Sequence, residues 1–303
     1  MRRLPLLALA ALLAALPAVT LPAAAQRPRR VFVSVDMEGI GGIGTPAMTT
    51  ATGKDYATGR RLMTDEVNAV VAAVLRAGAA QVLVNDSHGD MQNLLHAELD
   101  PRVQYVQGSV KPLGMVEGLE RGHDAAIFVG YHARAGTADG FLAHTGTGAV
   151  KGLWLNDVEV GEGELNALYA GSLGVPVIAV SGDSAFVAQF GASAAALRAS
   201  APASVVTKVA MTPQSARLLH PTLVKDSLGA AVARGLAATA RPFALPGGGP
   251  VRVRLRLADV TTPQILEAIP GVKRVDGYTV TFTAPSMTEA YRMIRLMYKF
   301  VVV

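Results

Sequence analysis

Five residues with metal-binding side chains fall just beyond short apolar runs. Asp36 and Glu38 lie in Ser34-Val35-Asp36-Met37-Glu38-Gly39, His88 ends Val84-Asn85-Asp86-Ser87-His88, His132 lies in Gly130-Tyr131-His132-Ala133, and Glu162 lies in Gly161-Glu162-Gly163-Glu164. Carboxylate and imidazole donors without sulfur suit Zn²⁺, and Mn²⁺ or Co²⁺ fits the same set. Five donors exceed what one open catalytic zinc needs. Two metals roughly 3.5–4 Å apart, sharing a bridging carboxylate, would use them all and still leave an open position. Asp36, central and short, is the expected bridge. Glu38, two residues on in an extended segment, points to the same side and is placed to hold one metal.

Each residue alone has a plainer explanation. An Asp after a strand commonly caps a helix, a single His is as often structural as ligating, and Glu162 suits the first turn of a helix. Their joint placement is the argument. Apolar runs at 31–35, 81–84, 103–106, 125–129, 152–155 and 175–180, mostly Val, Ile or Leu without sustained polar alternation, read as buried parallel strands. Between the first two, residues 58–77 place Met63, Val67, Val70, Val71, Val74 and Leu75 at helical spacing, with Gly78 where a C-terminal cap belongs. This rhythm predicts α/β architecture, a mostly parallel sheet flanked by helices. In such a sheet ligands bind beyond the carboxyl ends of the strands, where all five residues fall.

After about residue 200 the pattern changes. A helix is expected over 224–240, the loop at 244–250 is rich in Gly and Pro, 251–257 (VRVRLRL) alternates as a half-exposed antiparallel strand, 277–283 alternates again, and 287–300 is an amphipathic helix. The expected organisation is a catalytic metal-binding α/β domain over 26–200 and a smaller α+β domain over 201–303.

Composition narrows the chemistry. The 303 residues include no Cys, which excludes thiol nucleophiles, disulfides and sulfur-ligated metals. Residues 1–25 carry Arg2 and Arg3, an apolar run over 6–16 and Ala23-Ala24-Ala25, the layout of a cleavable signal peptide. Export to the periplasm or medium follows, with no membrane association after cleavage. The net charge of +5 includes those two arginines, aromatic residues make up 5%, and no basic run exceeds Arg27-Pro28-Arg29-Arg30, so no nucleic-acid partner is expected.

Six ordered motifs, SVDMEG at 34–39, GRRLMTDE at 59–66, VNDSH at 84–88, VKPLGMVEG at 110–118, GYHAR at 130–134 and NDVEVGE at 156–162, resemble the D-aminopeptidase family of the dipeptide-operon protein type. The resemblance is strong over about 30–185. It implies a dinuclear zinc aminopeptidase in which Asp36 bridges, Glu38 and His132 bind one zinc, and His88 and Glu162 bind the other. It places the catalytic histidine at His144, in FLAHT at 141–145. It also implies D-amino-acid N-termini and a ring-like homo-oligomer, a decamer.

The leading expectation is an exported zinc aminopeptidase acting on short peptides such as D-Ala peptides. Glu164 is a candidate for holding the substrate amine, and Asn85 and Asp86 for orienting His88. Asn156 and Asp157 belong either to the site wall or to a turn. His96, His123 and His220 are expected at the surface or in caps. The alternatives are a metal-dependent phosphoesterase, against which stands the lack of a Gly-rich phosphate loop, and a non-enzymatic solute-binding protein, which normally has two comparable lobes.

Overall fold

A computed structural model describes residues 29–301; the expected signal peptide, residues 1–25, lies outside the described residues. Seven strands form the first sheet: β1 (Arg29–Val35), β2 (Ala79–Asp86), β3 (Gln104–Val106), β4 (Ala125–Tyr131), β7 (Val177–Asp183), β8 (Ala203–Thr212) and β9 (Ser215–Leu218). Their order is β3-β2-β1-β4-β7-β8-β9, parallel throughout except for the antiparallel β8–β9 pair. The chain runs outward from β1 to β3, returns to β4 beside β1, and then runs outward in the other direction. β1 and β4 therefore flank the reversal point, where an open parallel sheet leaves a crevice at its carboxyl edge.

Successive residues of β1 face opposite sides of the sheet. Val31, Val33 and Val35 pack with α1 (Tyr56–Arg76) and α4 (Pro221–Ala237), whereas Phe32 packs on the opposite face with Phe128, Tyr131 and the helices α2 (Glu162–Ser172) and α3 (Ser184–Ala196). Helices on both faces account for the uninterrupted apolar composition of these strands. The expected stripe of α1 is the buried one: Met63, Val67, Val70, Val71 and Val74.

A second, antiparallel sheet has the order β11-β12-β10-β5-β6, with β5 (Val150–Leu155), β6 (Val158–Glu159), β10 (Val251–Leu257), β11 (Lys273–Arg274) and β12 (Thr279–Ala284). The α/β class with an added smaller unit is as expected, but the strands divide differently from the division expected at residue 200. β5, expected to be a parallel strand of the first sheet, pairs antiparallel with β10, and β8, β9 and α4 belong to the first sheet. Its apolar residues are explained by the second sheet's own core, where Leu153 and Leu155 pack with Val253 and Leu255. Short α5 (Thr261–Leu266) and the closing helix α6 (Met287–Phe300) complete this unit.

α6 begins where Ser286 accepts a hydrogen bond from the Glu289 N–H. It buries Ala290, Tyr291, Ile294, Met297 and Tyr298 against the core shared with α2. Large apolar side chains buried this way contribute about 1.5–3 kcal/mol each. That packing carries the C-terminal end of α6 to the carboxyl edge of the first sheet. No helix among the described residues is long and apolar enough to cross a membrane.

Candidate metal centre

Asp36 leaves β1 at the reversal point, with its N–H on the Val129 carbonyl of neighbouring β4. His88 follows β2, His132 follows β4, and Glu162 opens α2 after the β5–β6 hairpin. Glu162 therefore arrives from the second sheet and not, as the sequence pattern suggests, from a parallel strand end. Asn156 and Asp157 form that hairpin's turn with φ of 48° and 68°, and Asp157 pairs with the exposed Arg252 at 2.6 Å, so they lie outside the site.

The five expected ligands converge. Asp36, 2% exposed, divides its two oxygens between two histidines: Oδ1 lies 3.2 Å from His88 Nδ1 and Oδ2 lies 3.3 Å from His132 Nε2. Glu38 Oε2 is 3.0 Å from His88 Nδ1, and Glu162 Oε2 is 3.3 Å from His132 Nε2. The nearest contacts thus set Glu38 with His88 and Glu162 with His132, whereas the resemblance implies the crossed pairing. Donor atoms of Asp36, Glu38 and His132 also lie within 4.8 Å of one another. His144 joins them, its Nε2 3.6 Å from Glu162 Oε1 and its ring stacked on His132 at 4.1 Å.

One feature recurs at all three histidines. His88 Nε2 is 2.8 Å from the Thr49 carbonyl, His132 Nδ1 is 2.9 Å from the Ala133 carbonyl, and His144 Nδ1 is 2.9 Å from the Leu142 carbonyl. A carbonyl only accepts, so each of these nitrogens carries a proton and the other nitrogen faces carboxylate oxygen. A neutral ring would present its lone pair to anions; either a second proton or a shared cation must lie between them. The separations of 3.0–3.6 Å match the roughly 3.4 Å between neighbouring donors of a tetrahedral zinc with 2.0–2.2 Å bonds. Asp36 Oδ2 and His132 Nε2 are moreover buried without a hydrogen-bond partner. The donor set fits zinc.

The charges are mutually dependent. Burial raises the Asp36 carboxyl, with the Glu38 charge adding to the effect. Burial also opposes ionisation of Glu38, but His88, by charge and hydrogen bond, holds it well below the usual carboxylate range, helped by His132 and His144. Glu162 is drawn down to about 2 in spite of its burial, chiefly by His132 and His144. Burial disfavours the charged rings of His88 and His132, yet Glu38 and Asp36 raise the first well above the imidazole range, and Glu162 and Asp36 raise the second.

The surroundings hold this cluster in place. Glu162 Oε1 accepts the Gly146 N–H at 2.6 Å, and the Lys208 ammonium donates to the Glu38 carbonyl. Asp86 does not touch His88; it accepts the N–H groups of Asn93 and Leu94, while Asn93 Nδ2 bridges Asp86 Oδ1 and the His88 carbonyl. Asn85 instead accepts from Lys111 Nζ at 2.7 Å. Glu164 is turned away, closing a capping box on the Gly161 N–H at 2.8 Å and accepting from Ser193, so it is no amine ligand. His96 is exposed and His220 caps α4, as expected, but His123 is buried with its ring edge-on to Phe32.

Sequence reading missed Arg295, Tyr298 and Lys299 of α6, which line the same small cavity as Asp36, His88, His144 and Glu162. Their signal was an amphipathic helix with basic residues at 295 and 299, four apart and so on one face; nothing local says that this face meets a site built from residues 36–162.

A buried cluster of three carboxylates and three singly anchored imidazoles, at the reversal point of a parallel sheet, is a candidate metal centre of the kind that hydrolases use. Residues 29–296 match the family model described as D-aminopeptidase. A D-aminopeptidase of Bacillus subtilis (strain 168) is 34% identical over 278 residues, spanning 88% of this chain and 96% of the relative. Among solved structures, the Zn-dependent D-aminopeptidase DppA from Bacillus subtilis, described as a self-compartmentalizing protease, superimposes with a TM-score of 0.84 at 32% identity over 90% of this chain and 97% of its own. The chain belongs to the D-aminopeptidase family. It is an enzyme of the peptide-bond hydrolase class, which sets aside the phosphoesterase and solute-binding alternatives.

Proposed function

We propose that the protein is an exported aminopeptidase with two zinc ions per subunit, releasing N-terminal D-amino acids from short peptides such as D-Ala peptides. The observation that carries this reading is the shared anchoring of His88, His132 and His144, each with one nitrogen on a carbonyl and the other facing carboxylate oxygen. Asp36, Glu38, His88, His132 and Glu162 would hold the metal, with Asp36, whose two oxygens face different histidines, the residue common to both halves of the cluster. Zinc held there supplies Lewis acidity, polarising a scissile carbonyl and bringing the pKa of a water toward neutrality.

The remaining chemistry belongs to the protein. His144 lines the cavity with a side chain 29% exposed, so it is accessible to substrate as the buried His132 is not. Its Nδ1 proton is committed to the Leu142 carbonyl, which leaves Nε2 to act. Nε2 takes the proton that the attacking water releases, steadies the oxyanion of the tetrahedral intermediate with it, and passes it to the leaving amine nitrogen as the C–N bond breaks. Glu162 Oε1 lies 3.6 Å from His144 Nε2. Lys208 and the Gly146 N–H fix the Glu38 backbone and the Glu162 carboxylate, so the ligands need not reorganise during the reaction.

Export is supported by the residue pattern over 1–25, and a ring-like homo-oligomer by the self-compartmentalizing description of the solved relative. Chelation should abolish hydrolysis of D-alaninamide and D-Ala-D-Ala, and zinc should restore it. Full activity after exhaustive chelation would overturn the reading.

A further inference from the structure

Facing the ligand cluster across the cavity is a positively charged wall from α6. Arg295 is 3% exposed, yet no carboxylate lies in ion-pair range of it among the described residues, and none lies in range of Lys299. Arg295 Nε donates to the Lys111 carbonyl at 3.0 Å, Nη1 lies 3.4 Å from the Tyr298 hydroxyl, and Nη2 reaches Met91 Sδ at 4.0 Å, a weak acceptor. A buried guanidinium without a facing anion carries a desolvation cost that an anionic partner would offset. Lys299 Nζ donates to the Gly89 carbonyl at 3.3 Å.

The fold makes room for this wall. Gly114 has φ of 47°, and a side chain there would meet the Arg295 guanidinium at 2.6 Å; Gly146 has φ of 72°, and a side chain there would meet the Tyr298 ring at 2.7 Å. Both glycines keep open slots into which α6 residues fit beside the site. Tyr291 on the same helix donates to Asn166, which donates to Tyr131, which shares a hydrogen bond with Ser34 of β1. α6 is thus tied to the strand that delivers Asp36.

We propose that Arg295 and Lys299 bind the free C-terminal carboxylate of the substrate and so select dipeptides over their amides. This rests on the aminopeptidase reading and deepens it. A guanidinium and an ammonium four residues apart on one helix face present forked and point donors to a planar carboxylate. The cavity, about 100 Å³, is lined by Arg295 and Lys299 together with Asp36, His88, His144 and Glu162, so the wall and the ligand cluster border one small space. With the scissile carbonyl at the ligand cluster, one residue further on is where a dipeptide ends. An amide or a longer peptide places a neutral group there and leaves Arg295 unpaired.

The test separates binding from turnover. The zinc-loaded protein is titrated calorimetrically with a D-Ala-D-Ala isostere whose peptide bond is reduced to CH₂–NH, and with the C-terminal amide of that isostere. The acid should bind at least about tenfold tighter than the amide, and this preference should shrink below about threefold in Lys299→Met and in Arg295→Met. Arg295 is buried, so Lys299→Met, at a half-buried position, keeps the measurement decisive if the first variant does not fold. Equal binding of acid and amide by the unaltered protein, or a preference that survives in Lys299→Met, overturns the proposal. Hydrolysis of D-Ala-D-Ala is followed in parallel. Its absence counts against the aminopeptidase reading alone, because the binding preference is read without turnover.

Discussion

His132 and His144 lie face to face, ring centroids 4.1 Å apart and planes within 13°, each fixed through Nδ1 to a backbone carbonyl and each turning Nε2 toward a different oxygen of Glu162. The two rings share a carboxylate but differ in exposure. His132 is buried against Asp36, while His144 borders the cavity.

That division predicts opposite signatures for two substitutions. His144→Ala should leave zinc content unchanged and lower kcat on D-Ala-D-Ala by about 10²–10³, the scale of a lost proton-transfer group. His132→Ala should lower zinc content and, with it, all activity. Metal analysis beside steady-state kinetics checks both; zinc lost from His144→Ala to the same extent would make that residue a ligand.

Metal-free protein should respond to pH with a definite sign. His88 and His132 have folded pKa values above 6.5, so their contribution to stability is present in full below pH 6.5 and is lost as pH rises through the raised values. Glu162, drawn down to about 2, contributes stability that is present above 4.5 and lost as pH falls toward 2. Zinc needs the same imidazole nitrogens deprotonated, so its binding releases protons and strengthens with pH. The Tm gap between zinc-loaded and chelated protein should therefore widen from pH 6.5 upward. Calorimetry over a pH series reads this directly, and a constant gap would contradict it.

Glu66 supplies a separate pH effect away from the ligands. Its Oε1 accepts the Gly41 N–H at 2.6 Å and its Oε2 is buried without a partner, and burial pushes the carboxyl up to about 7. The sign is that of a raised group: its contribution is present below 4.5 and lost as pH climbs to 7. Glu66→Gln keeps the acceptor for Gly41 and removes the charge. It should raise stability above pH 7 by about 3 kcal/mol and flatten the dependence between pH 4.5 and 7. Denaturant unfolding at pH 4.5 and 7.5 measures the difference.

How much of this was legible beforehand depends on range in sequence. Asp36, Glu38, His88 and His132 were readable because each follows a strand whose apolar run identifies it, and a parallel sheet places such ends side by side. Glu162 reaches the cluster by a route other than the expected one. Its strand β5 is as apolar as the others, and composition does not tell a parallel partner from the antiparallel β10 that it meets nearly 100 residues later. Glu164 misled because Gly-Glu-Gly-Glu shows two carboxylates and nothing in it says that the second will close its own helix cap. Arg295 and Lys299 were invisible as site residues, since only the packing of Tyr291 and Tyr298 brings α6 to the sheet edge.

Under the proposed function Asp36 joins two zinc ions that the enzyme needs. The most direct measurement is zinc per chain in the purified protein and in Asp36→Ala, with D-Ala-D-Ala hydrolysis followed on the same samples. Two zinc ions per chain in the unaltered protein, and loss of both zinc and activity in the variant, is the predicted result. Two zinc ions retained by Asp36→Ala, or hydrolysis that persists in protein stripped of metal, would contradict it.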